Sequence, residues 1–171
     1  CEEAPLRDAV LAICAWGGMR VHWGQALFEC SHEWLPALEA IVNGGMPRAQ
    51  IYEQFRALRA DGKLPGMRPA YYTKLIFFLC SNAHGYIMDQ WTDRSINLLF
   101  NANIQLLDGR FVSDQNDGTV YETFCLHEET VANELAEATG APVTPEIAEM
   151  ALFSCGGQQG RSWRQYVRTH G

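Results

Sequence analysis

The stretch that decides the reading of this chain is Leu64-Pro65-Gly66-Met67-Arg68-Pro69-Ala70-Tyr71-Tyr72-Thr73-Lys74-Leu75-Ile76-Phe77-Phe78-Leu79-Cys80. Its first part punctuates: proline lacks a backbone donor, and glycine admits left-handed backbone. Ala60-Asp61-Gly62-Lys63 just upstream adds a further glycine, so one helix ends and another begins across an abrupt turn. The second part is apolar apart from one charge, Lys74. At helical spacing its neighbours are Ala70, Tyr71, Phe77 and Phe78, so the ammonium starts in an apolar setting. Desolvation lowers a lysine pKa and frees the amine as a nucleophile. A lysine that packs its stem and sends its head to water satisfies the same pattern.

Outward from this hairpin, apolar periodicity predicts helices over approximately 6–16, 23–30, 32–43, 47–60, 69–80, 90–101, 119–139, 145–154 and 160–169. Punctuation supports the boundaries: Gly44-Gly45 closes one helix, Pro47 opens the next, and Thr144-Pro145 gives an N-cap followed by proline. No segment sustains the strict alternation of a half-buried strand, which makes the expected fold an all-α bundle with a cleft. Residues 106–120 are the irregular stretch. Their Asp108-Gly109 and Asn116-Asp117-Gly118 turn signals fit a small hairpin or a long loop.

At 171 residues and 47% hydrophobic, the chain suits a single domain over 1–171, with the hairpin motif at about 55–80. The first residue is Cys1 rather than Met, which leaves room for an N-terminal extension in the gene product. No apolar run is long enough to span a bilayer, and the acidic start is unlike a signal peptide, so the expectation is a soluble cytoplasmic protein without membrane partners. The six cysteines are scattered, with neither zinc-type spacing nor the clustering that holds an iron–sulfur centre. The five histidines show no ligand spacing either. No metal and no cofactor are expected.

The net charge of −7 weighs against a nucleic-acid partner, because duplex binders neutralise phosphates with Lys and Arg. Segregation of charge can overcome that total. Arg48, Arg56, Arg59, Lys63, Arg68 and Lys74 crowd the hairpin, whereas glutamates concentrate in the last third. Amides at the turn and at the start of the following helix can also hold a phosphate. Asp89, in Gly85-Tyr86-Ile87-Met88-Asp89-Gln90-Trp91, precedes a new helical pattern. An N-cap is its ordinary role, and a carboxylate fixed there can also serve a facing amine.

LPGMRPAYYTKLIFFL followed by GYIMDQW resembles the helix-hairpin-helix DNA glycosylase superfamily, in its 8-oxoguanine glycosylase branch. The match centres on about 47–101, and weaker similarity continues through Tyr121–Cys125 and Glu149–Ser154. The resemblance implies that Leu64, Pro65 and Gly66 carry the hairpin motif and that Asp89 is the family's aspartate. Two positions depart from the family pattern: Arg68 replaces the second hairpin glycine, and Ala70 stands where the family has its lysine. Lys74 lies one helical turn later on the same face, which assigns it the nucleophile's role by geometry.

The implied activity is a bifunctional glycosylase and AP lyase acting on duplex DNA that carries 8-oxoguanine or a related purine. Its catalytic residues would be Lys74 and Asp89, with Lys63, Gly66 and Arg68 on phosphate. Base contacts would fall to Trp16, Gly17, Gly18, Trp91, Phe153 and Gln158. Compact proteins of this kind also resemble components of bacterial anti-phage gene clusters. That likeness implies an alternative, a repurposed fold recognising a deazaguanine-type modification on a protein or small ligand, with partners from a defence operon.

Overall fold

In the computed structural model, the described residues are 3–153 and 162–170. Within them run helices α1 (Glu3–Trp16), α2 (Val21–Glu29), α3 (Ser31–Asn43), α4 (Arg48–Ala60), α5 (Pro69–Leu79), α6 (Gln90–Phe100), α7 (Gly118–Thr139), α8 (Pro145–Leu152) and α9 (Ser162–His170). A two-stranded antiparallel hairpin, β1 (Leu106–Leu107) and β2 (Phe111–Val112), lies between α6 and α7. The all-α expectation holds, and the irregular stretch resolves into the small hairpin rather than an open loop. None of the helices is long and apolar enough to cross a membrane among the described residues.

The local rules explain most boundaries. Pro69 opens α5 at its first turn, and Arg68 before it is extended at φ −99° and ψ 174°. Asp117 caps α7 through Thr119 N (2.9 Å) and Val120 N (2.9 Å), and Gly140 ends it in the left-handed region at φ 65°. Thr144 with Pro145 starts α8 as the sequence implies.

An aromatic core fixes the helices around the hairpin. Tyr52 of α4 meets Tyr72 of α5 edge-on at 5.0 Å and stacks on Tyr121 of α7 at 4.8 Å, while Phe55 stacks on Tyr72 at 5.6 Å. All four rings are buried. Burial of each such ring stabilises by roughly 1.5–3 kcal/mol. Tyr72, Leu75 and Ile76 thus turn one face of α5 inward, which leaves Tyr71 and Lys74 on the face toward α1 and a cleft. The cysteines Cys14, Cys80 and Cys125 are buried and Cys30 is half-buried, all as free thiols.

Candidate active site

The hairpin between α4 and α5 turns on Gly66, whose φ of +72° favours glycine. A Cβ there would also meet the Trp23 ring at 2.6–2.9 Å, so two independent constraints exclude a side chain. Arg68, at the expected second glycine, needs no such freedom, because its backbone is extended. Arg59 braces the turn from α4: Nη1 donates to the Met67 carbonyl at 2.9 Å while Nε and Nη2 grip Asp114 at 2.7 and 2.9 Å.

Lys74 is 9% exposed, and its stem leans back along α5 so that Nζ donates to the Ala70 carbonyl at 2.8 Å. The amine therefore lies over the turn that begins at Ala70. Tyr71 offers a ring face 5.7 Å from Nζ. Gly17, at the end of α1, makes room for both: a Cβ there would stand 3.1 Å from the Tyr71 ring and 3.2 Å from Lys74 Cδ. Burial pushes the Lys74 pKa below the ordinary lysine value, while Asp89, Glu149 and Cys14 pull it back up.

Asp89 is the N-cap of α6. Its Oδ1 accepts from Trp91 N (2.7 Å) and Thr92 N (3.2 Å), and Thr92 Oγ1 accepts from Asp89 N (2.9 Å), which closes a reciprocal capping box. Both amide bonds use one oxygen, leaving Oδ2 outside the cap. The segment before it is held firmly: Glu149 accepts from Ile87 N (3.0 Å), Thr73 Oγ1 from Met88 N (3.2 Å), and Thr92 Oγ1 donates to Ile87 O (2.9 Å). The carboxylate thus sits on a rigid helix start at the wall of the space that Lys74 lines.

That space is an open cleft of about 1020 Å³. Seven of the chain's 13 Lys and Arg residues line it (Arg20, Arg59, Arg68, Lys74, Arg94, Arg110 and Arg168), against one of its 20 acids, Asp89. Among the described residues, Arg20, Arg68, Arg94, Arg110 and Arg168 have no carboxylate within 4.0 Å. The charge segregates, with Arg59, Arg68 and Lys74 of the six cations that the sequence placed around the hairpin lining the cleft and the other three outside it. Arg48 is buried in ion pairs with Glu122 (2.7 Å) and Glu129 (2.5 Å), Arg56 pairs with Glu53 (3.4 Å), and Lys63 pairs with Asp61 (3.5 Å) outside the cleft.

Of the other sequence candidates, Gly17, Gly18, Gly66, Arg68 and Trp91 line the cleft. Trp16 does not: it is 65% exposed and meets Phe78 edge-on at 5.3 Å. Phe153 also lies outside the lining, under the Arg164 guanidinium at 5.0 Å. Gln158 falls outside the described residues. Trp91 is covered by arginines, with Arg164, Arg168 and Arg94 at 4.4, 5.1 and 5.8 Å from its ring. Sequence reading missed Arg20, Trp23, Arg94, Arg110, Phe111 and Arg168. Only Arg94 carried a local signal, one turn after Trp91 in a helix already assigned.

A family model for the putative 8-oxoguanine DNA glycosylase OGG-like protein matches residues 2–153. The chain belongs to this family. No curated protein and no solved structure matches the chain. The OGG-like match spans α1 through α8 and every cleft residue except Arg168, which α9 supplies. Membership in a DNA-acting glycosylase family agrees with the all-α architecture and with a cleft poor in acids.

Proposed function

We propose that this OGG-like protein is a bifunctional DNA glycosylase and AP lyase that removes 8-oxoguanine or a related modified purine from duplex DNA. The observation that carries the reading is a buried amine and a helix-capping carboxylate on the walls of one arginine-rich cleft. The arginines and the Gly66 turn receive phosphates, and the flipped nucleotide enters beside Lys74. Tyr71, Trp23, Phe111 and Trp91 line the space it enters, and their rings are the candidates to stack on it.

As the bond from the sugar's anomeric carbon to the base breaks, its electron pair leaves with the base. Asp89 stabilises the positive charge that grows on the sugar. The neutral Lys74 amine bonds to that carbon and its proton passes to the departing base; the bond from that carbon to the ring oxygen then breaks, the oxygen taking a proton, which opens the sugar and gives the protonated Schiff base. Loss of a proton from the adjacent carbon then expels the 3′ phosphate by elimination. Burial favours the neutral amine this sequence requires.

Borohydride trapping on labelled duplex containing 8-oxoguanine tests the proposal, beside undamaged duplex and Lys74→Ala. A damage-specific adduct that disappears in Lys74→Ala is the expected result. Folded protein without an adduct overturns the lyase mechanism and turns attention to the repurposed reading, for which a deazaguanine-bearing ligand is the probe.

A further inference from the structure

We propose that Glu149, buried on α8, is a positioning residue that anchors the aspartate's segment through Ile87 and holds a second carboxyl behind the one at the cleft. This inference rests on the glycosylase reading for its catalytic meaning, and on the buried Glu149–Ile87 hydrogen bond for its place in the fold.

Two observations converge on Glu149. Its carboxyl is 8% exposed and accepts from Ile87 N at 3.0 Å, two residues before Asp89, which ties α8 to the start of α6. It also feels the charges of both Lys74 and Asp89. The groups facing Lys74 are Asp89 from α6, Glu149 from α8 and Cys14 from α1, with the Tyr71 ring on its own helix. Those facing Glu149 are Lys74, Asp89, Glu128 from α7 and Glu146 on its own helix. Asp89 stands at the cleft, whereas Glu149 lies beneath it, where water screens charge poorly.

Burial raises the Glu149 carboxyl to about 7, against the pull of the Ile87 amide. Its charge therefore changes in the neutral range. When it is ionised it favours the Lys74 ammonium, and when it is protonated it favours the free amine. The two groups titrate as a coupled pair, so the lysine curve carries an inflection that belongs to the carboxyl.

The chain holds two lysines, Lys63 and Lys74, so carbon-13 NMR of the lysine Cε resolves Lys74 without any substrate. In Glu149→Gln the amide oxygen still accepts from Ile87 but the charge is gone. Lys74 should then titrate in one step at lower pH, and trapping above neutral pH, where the wild-type carboxyl is ionised, should rise several-fold while trapping below neutral pH changes little. Glu149→Asp keeps the charge and loses the reach to Ile87. Its Lys74 curve should keep the carboxyl's inflection, displaced to higher pH by loss of the Ile87 amide, while trapping falls at least tenfold. A Glu149→Gln curve that overlays wild type overturns the linkage, and unchanged trapping in Glu149→Asp overturns the anchoring. A shifted curve in a protein that never forms an adduct upholds the linkage and sinks the lyase reading alone.

Discussion

Asp89 combines two tasks that substitution can separate. Asparagine keeps an oxygen for the Trp91 and Thr92 amides but carries no charge, so Asp89→Asn should melt close to wild type while adduct formation falls by about 10²-fold or more. Alanine loses the cap as well, and chemical denaturation should show a further loss of about 1 kcal/mol. Equal destabilisation by both would mean that the charge, and not the cap, holds α6. Gly17 is the other residue whose chemistry is spatial. Its missing side chain leaves the gap that Lys74 and Tyr71 fill, so Gly17→Val should push the amine out of place. Trapping should drop at least tenfold, with a melting temperature that moves far less than a core substitution would move it.

Between the helices, α6 and α7 bury carboxyls with no hydrogen-bond partner among the described residues, Asp93 and Glu128. Burial raises Asp93 well above its ordinary value and lifts Glu128 from 4.5 to about 9. The folded chain thus keeps a proton on Glu128 that the unfolded chain releases. The associated stability is complete below the unfolded value of 4.5 and is lost as pH rises toward about 9. Glu128→Gln should therefore flatten the pH dependence, melting near wild type at about pH 5 and higher by about 3–6 °C at about pH 8. A parallel pair of melting curves would show that Glu128 does not carry the proton. Helix ends were legible because Pro69, Thr144 and Gly44 act locally, and Asp89 was legible because a cap precedes its helix. These two acids were not legible. Nothing in the sequence around Asp93 or Glu128 distinguishes them from solvated surface carboxylates, since burial comes from helices far apart in the chain.

Across the molecule, acidic in total and cationic in its cleft, the distribution of charge decides which partner can enter. Five cleft arginines without carboxylate neighbours predict that log affinity for duplex DNA falls with log salt at a slope of about −4 to −5. Arg168→Ala should reduce that slope by about 1 and weaken all sequences alike. An unchanged slope would place the DNA elsewhere. The sequence listed basic residues near the hairpin, yet Arg48 serves an internal ion pair while Arg168 arrives from the far end of the chain. Proximity along the chain could not distinguish these fates. The lysine latched to Ala70 has one more consequence, for chemical durability. An amine tied to its own helix and 9% exposed is sheathed against stray aldehydes and acylating agents, so damage by such reagents should fall first on Lys63. Brief treatment with an amine-reactive ester, read by peptide mass spectrometry, should label Lys63 and spare Lys74. The nucleophile would then outlast the surface around it, exposed to electrophiles chiefly when a substrate draws it from its sheath.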